Sequence, residues 1–171
     1  TTMGYYQVSL KRKQEAVRML APTAIDRNGR SAAFADDTDY ELASVAVPFG
    51  NCTEPTNVKA GGKQCPIRFQ CAGCNYYRPD ISFVPAIAEH LIELRADREL
   101  ATSTDAADWV VANMDDQITA FDEIHARLHD QLTSMSTFDR EAIESASREL
   151  RKARAVAFIP TEDLRIRPHD S

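Results

Sequence analysis

The stretch NCTEPTNVKAGGKQCPIRFQCAGC, residues 51–74, holds all four cysteines of the chain, Cys52, Cys65, Cys71 and Cys74, at the spacing C-x12-C-x5-C-x2-C. Thiolates are soft ligands, and four of them in a loop able to close on one point make the donor set of a tetrahedral metal centre. The closing Cys71-Ala-Gly-Cys74 has the form of a metal knuckle: Gly73 lets the backbone turn tightly, and Gly61 and Gly62 loosen the longer arm between Cys52 and Cys65. Zinc is the default ion. A 4Fe–4S cluster stays open as the alternative, since closely spaced cysteines, one followed by Pro66, with a distal fourth also suit iron. Two blander accounts compete. Paired disulfides suit a small secreted protein, but the first residues hold no apolar run, and unrelated buried thiols have no reason to cluster.

Outward from the cysteines the charge pattern changes. The chain has 171 residues, enough for one modest domain or a small module with a helical segment attached, and a formal charge of −6. That balance argues against a surface that is a nucleic-acid footprint throughout. Locally the sign reverses: from Cys52 to Arg78 the only carboxylate is Glu54, against Lys59, Lys63, Arg68 and Arg78, with Phe69, Tyr76 and Tyr77 interleaved. Lys59, Lys63, Arg68 and Arg78 are therefore candidate DNA-phosphate contacts, or cations that offset four thiolates around an ion. No run of 18 apolar residues occurs, so no membrane span is expected, and the cysteine usage suits a reducing cytoplasmic compartment.

The flanks read as helical. Ser9 is a good N-cap for a short basic helix whose Leu10, Val17 and Leu20 share a face, ending before Pro22. Residues 31–48 read mostly as loop, with a short strand at 42–47 leading into Pro48-Phe49-Gly50. After the cysteines, Pro85 opens a helix with Ile87, Leu91 and Leu94 on one face and Arg95 and Arg98 outside it. Thr102-Ser103-Thr104 offers caps for a second, long helix with Trp109, Met114, Ile118, Phe121, Leu128 and Leu132 in its stripe. Ser136 or Thr137 caps a third, with Ile143, Ala146, Leu150 and Ala153 as its stripe and Arg148, Arg151, Lys152 and Arg154 toward its C-terminal end. His125 and His129 lie one turn apart but lack the intervening glutamate of a helical protease zinc site, and they read as surface imidazoles. The fold class expected is mainly α: a small four-cysteine metal-binding module followed by a helical hairpin or three-helix coiled-coil-like arm.

The opening phrase TTMGYYQVS, residues 1–9, resembles the last motif of tyrosine recombinases, the family of Xer-type and phage integrases. In that family a phrase T-T-x-x-Y-x-x-V, followed by a small polar residue and a helix, carries the nucleophilic tyrosine. Thr1 and Thr2 match the paired threonines, Tyr5 the nucleophile, Val8 the hydrophobic position and Ser9 the small polar one; Gln7 stands where many members have histidine. The stretch 47–79, VPFGNCTEPTNVKAGGKQCPIRFQCAGCNYYRP, is similar to a cysteine-rich module that follows the catalytic domain in certain large integrase-like recombinases of actinobacteria.

The resemblance implies a division into the end of a recombinase catalytic domain (1–30), a linker (31–49), the metal module (50–80), a helical arm (81–160) and a flexible tail (161–171). It implies that Tyr5 attacks a scissile phosphate and forms a 3′-phosphotyrosyl link, that double-stranded DNA is the partner, and that protomers associate on it in a bacterial cytoplasm. The family's arginines, lysine and histidines lie upstream of the tyrosine, so the chain reads as a fragment of a longer polypeptide, inactive alone. From a different class comes the alternative: a free-standing metal-stabilised DNA- or protein-binding regulatory module without catalysis.

Overall fold

The computed structural model describes residues 2–67 and 70–157, with side chains for residues 10–67 and 70–151. Within them the protein is mainly helical around one small antiparallel sheet. Among the described residues no helix is long and apolar enough to cross a membrane.

Helix α1 spans Thr2–Leu20 and so begins ahead of Ser9, which sits inside it rather than capping it. Met3, Gln7 and their neighbours carry no helix-stopping proline, and the first turn extends across the tyrosine phrase. Ala16, Val17 and Leu20 are buried, whereas Leu10, expected on the same face, is exposed. The helix ends where Pro22 enters a 3-10 turn at Ala21–Thr23, and Thr23 Oγ1 donates to the Leu20 carbonyl at 2.8 Å. At Asn28-Gly29 the chain reverses: the Asp26 carboxylate accepts from the Asn28 and Arg30 amides at 2.8 and 2.9 Å, with Gly29 at φ +76°.

The 31–48 segment contains a helix the sequence reading missed, α2 (Asp37–Leu42), capped by Asp36, whose carboxylate accepts from the Asp39 amide at 2.8 Å. Six residues are too few to show a helical period, so the cap was the available signal. α2 buries Tyr40 edge-on against Phe34, ring centroids 4.9 Å apart.

Three short strands follow, β1 (Val45–Val47), β2 (Gly50–Cys52) and β3 (Tyr77–Pro79), in that spatial order. Val47 pairs with Gly50 across a two-residue hairpin tip, Pro48-Phe49, and Gly50 pairs with Pro79 on the other side. A side chain on Gly50 would run into the Arg78 carbonyl, so glycine is required there. Phe49 adopts φ +59°, a left-handed conformation that costs a non-glycine residue about 1–2 kcal/mol. Its ring is held among Phe83, His90 and Phe121, with centroids 6.2, 5.1 and 5.8 Å away.

The three remaining helices are α4 (Val84–Ser103), α5 (Asp108–Ser134) and α6 (Thr137–Ala157); a short α3 (Pro55–Lys59) belongs to the cysteine segment. Pro85 lies in the first turn of α4, and Ile87, Leu91 and Leu94 are buried. α4 lies along α5, bridged by Arg95 to Asp122 at 2.6 Å and Arg98 to Asp115 at 2.8 Å. Phe121, Ile124 and Leu128 form the buried stripe of α5, while Trp109 is 75% exposed. The hydroxyls of Thr102, Ser103 and Thr104 bond back to the Arg98 and Leu100 carbonyls, so they finish α4 rather than cap α5, which starts after Ala107 without a side-chain cap.

Ser136 caps α6 by accepting from the Asp139 amide at 3.1 Å and donating to its carboxylate at 2.6 Å. α6 lies along α1, burying Ile143, Ala146 and Leu150. Arg151 reaches out of α6 to donate to the Ser82 carbonyl at 2.6 Å and stand over the Phe83 ring. The side chains of Lys152, Ala153 and Arg154, and the tail 161–171, lie outside the described residues.

Candidate metal centre

The 53–76 segment interrupts the sheet between its central and last strands, and it is held by polar side chains rather than by an apolar stripe. Glu54 caps α3: its carboxylate accepts from the Asn57 amide at 2.6 Å, and Pro55 fills the first turn. That bond holds the Glu54 carboxyl below its usual range. Asn57 is fully buried. Its Oδ1 accepts from the Gln64 amide at 3.1 Å, its Nδ2 donates to Cys52 Sγ at 3.6 Å, and its carbonyl accepts from the Gly62 amide at 2.8 Å. One side chain thus folds the long arm back on the first cysteine. Gly61 and Gly62, at φ +59° and +87°, make the turn that this requires.

Cys52 ends β2, paired with Val45 and Tyr77 on its two sides. Cys71–Gly73 forms a 3-10 turn in which the Cys74 amide donates to the Cys71 carbonyl at 2.8 Å. The turn rests on α5. Arg27 donates to the Gly73 carbonyl, and Arg78 Nη1 donates to the Asn75 and Tyr77 carbonyls at 2.8 and 3.0 Å. Tyr77 is buried beneath the turn and donates its hydroxyl to the Pro48 carbonyl at 3.0 Å. Burial, with Cys71 and Asp80 nearby, keeps that phenol protonated far above its ordinary range.

Cys52, Cys65, Cys71 and Cys74 all line one cavity of about 270 Å³, and none of the four is in a disulfide. Cys52 Sγ accepts from the Glu54 amide at 3.5 Å, and Cys74 Sγ from the Tyr76 amide at 3.4 Å. In both cases the donor is two residues beyond the cysteine, aimed so as to favour negative charge on sulfur. Burial pushes the Cys71 thiol up to about 11, and the charges of Cys65, Cys52 and Cys74 add to the effect. The Cys71 thiol thus resists ionising unless a cation joins it, and a bound divalent ion reverses that logic.

Among the described residues, no group of three or more His, Cys, Asp or Glu side chains is set to hold a metal ion as it stands. The sulfurs wall one chamber without being drawn together around a point in it. By chemistry, the donor set of four thiols with amide N–H donors on two sulfurs fits a soft ion.

Of the expected phosphate contacts, Lys59 and Lys63 are exposed on the cysteine segment, Arg78 is spent on backbone carbonyls, and Arg68 lies outside the described residues. Tyr5 falls on α1, its side chain outside the described set. The rings of His125 and His129 stack 6.1 Å apart on α5. Sequence reasoning missed Asn57, Glu54 and Arg27. A Glu-Pro pair opening a short helix signals the Glu54 cap; nothing local signals that Asn57 turns inward.

A second cavity, of about 350 Å³, adjoins the first and shares the Cys71–Gly73 turn as a wall. Compared with known protein families, curated proteins and solved structures, the chain matches none.

Proposed function

We propose that the chain is the C-terminal part of a tyrosine site-specific recombinase, in which residues 50–80 form a metal-stabilised accessory module. The observation that supports the module is the convergence of all four cysteines on one cavity, with amide donors turned toward two of the sulfurs. Zinc, or a 4Fe–4S cluster as the alternative, would be held by Cys52, Cys65, Cys71 and Cys74 and would act as a cross-link between β2, the Gly61-Gly62 arm and the knuckle.

The chemistry rests on the opening phrase. The Tyr5 phenol attacks the scissile phosphorus, the 5′ oxygen leaves with a proton, and the phosphotyrosyl ester retains the bond energy until a 5′ hydroxyl reverses the step on a new partner strand. A phenol with a free pKa of about 10 needs cations around the phosphate. In that family these belong to segments ahead of the tyrosine phrase, and this reading requires them there. The α4–α5 pair serves as a helical hairpin arm, and among the described residues of the module Lys59 and Lys63 are exposed cations able to meet phosphate. Duplex DNA and other protomers are the partners, in a bacterial cytoplasm.

A free-standing metal-stabilised binding module is the second reading, favoured by the anchoring of the cysteine segment through its own Glu54 and Asn57. Covalent trapping of the full-length polypeptide on a nicked duplex separates the two. Tyr5→Phe should abolish the trapped species; trapping that persists reassigns the nucleophile, and none in either protein leaves the binding module. Elemental analysis of anaerobically purified protein distinguishes zinc from iron.

A further inference from the structure

The second cavity lies between the hairpin tip, the cysteine knuckle, α4 and α5, and it is built unlike the first. Phe49, His90 and Phe121 supply aromatic walls, the rings of His90 and Phe121 meeting edge to face with centroids 5.1 Å apart. Asn113, Asp116 and Gln117 line the α5 side, and Gln117 Nε2 donates to Asn113 Oδ1 at 2.7 Å, fixing the two amides relative to each other.

Two features mark this chamber as more than a packing gap. Phe49 reaches it only by holding a left-handed backbone, and strain of that kind in a bulky residue gathers at ligand clamps. On α5, Trp109, Asn113, Asp116 and Ala120 recur at helical spacing on one face, so the tryptophan, 75% exposed, stands one turn from the cavity-lining Asn113.

Charge selects the occupant. From Val84 to Ser134 the chain carries eleven carboxylates against three arginines, and Arg95 and Arg98 are already paired. Such a surface repels nucleic-acid phosphate and attracts cations. A guanidinium suits the chamber best, because it stacks on aromatic faces while its planar fork meets a carboxylate and amide oxygens. A second copy is a poor source, because the chain carries a net charge of −6 and two copies repel each other.

We infer that the cavity walled by Phe49, His90, Phe121 and Asp116, one turn along α5 from Trp109, is a docking site for an arginine side chain in a basic segment of a different protein. It is independent of the strand-exchange reading.

The test uses the full chain and its single tryptophan as reporter. Emission is followed while a blocked arginine–glycine peptide is added, with lysine–glycine and citrulline–glycine peptides as controls. Saturable change with the arginine peptide, weaker with lysine and lost with citrulline, is expected. Asp116→Asn, on an exposed helical position where folding should be preserved, should weaken the arginine peptide about tenfold. Phe49→Leu, with its helical circular dichroism checked against the parent, should weaken it by a factor of about 3 or more. The proposal is overturned if the arginine peptide gives no saturable change, or binds Asp116→Asn as tightly as the parent. It is equally overturned if the protein self-associates in a manner that Asp116→Asn abolishes, or if duplex DNA produces the emission change in place of the peptide.

Discussion

The cysteine segment and the α4–α5 pair meet at the Cys71–Gly73 turn, yet they are held together by different physics. In the helical pair, Ile87, Leu91, Leu94, Ile124 and Leu128 are buried at helical spacing, and ion pairs sit on the outside. Among the described residues between Thr53 and Tyr76, the fully buried large side chain is an asparagine, and the local anchors include caps, side-chain bonds to backbone and amide bonds to sulfur. Burying apolar area is non-directional and tolerates small errors; a polar scaffold works only when each donor meets its acceptor. One region should therefore respond to volume and the other to ligands and hydrogen bonds.

Metal removal should part them most sharply. A structural zinc can supply on the order of 10 kcal/mol of binding free energy in small modules, so chelation, or Cys71→Ser, should expose 53–76 to limited proteolysis while far-ultraviolet helical signal is largely kept. Simultaneous loss of helix and module would erase the contrast. Metal uptake in weak buffer should also release protons, since Cys71, pushed up to about 11 by burial and by the other three cysteines, must ionise to bind. Leu128→Ala comes next: a fully buried side chain on α5 should cost about 2–5 kcal/mol in denaturant unfolding, with metal content unchanged. Asn57→Ala should do the reverse, weakening metal retention and costing about 1–3 kcal/mol by leaving the Gln64 amide unmet. Arg98→Ala, at an exposed ion pair, should cost least of all, measurable as a small shift in midpoint that added salt removes.

The same division governs what could be read from the chain. Ile87, Leu91 and Leu94 announce α4 because a helix writes its burial into neighbouring turns. Pairing of β2 with β3 joins residues separated by the whole cysteine insertion, and no local pattern encodes it. The clustering of the cysteines in sequence was legible, and so was the knuckle turn, but Asn57 looks like any loop asparagine until the arm closes on it. Trp109 misled for a related reason: its spacing belongs to the helix, but it lies on the face of Asn113 and Asp116, outside the buried stripe of Phe121, Ile124 and Leu128, and is 75% exposed. Thr102 to Thr104 carry the right chemistry for a cap and spend it on the helix behind them.

Cys71 and Gly73 line both cavities, so a single 3-10 turn is a party wall between two chambers. Were an ion to draw the Cys71 sulfur inward, the backbone that Cys71 and Gly73 share with the second chamber would shift with it. Thermodynamic reciprocity then applies: whatever factor the first occupant imposes on the affinity of the second, the second returns to the first. If the module holds an ion and the neighbouring chamber an arginine, as proposed, the two would read each other through one short turn.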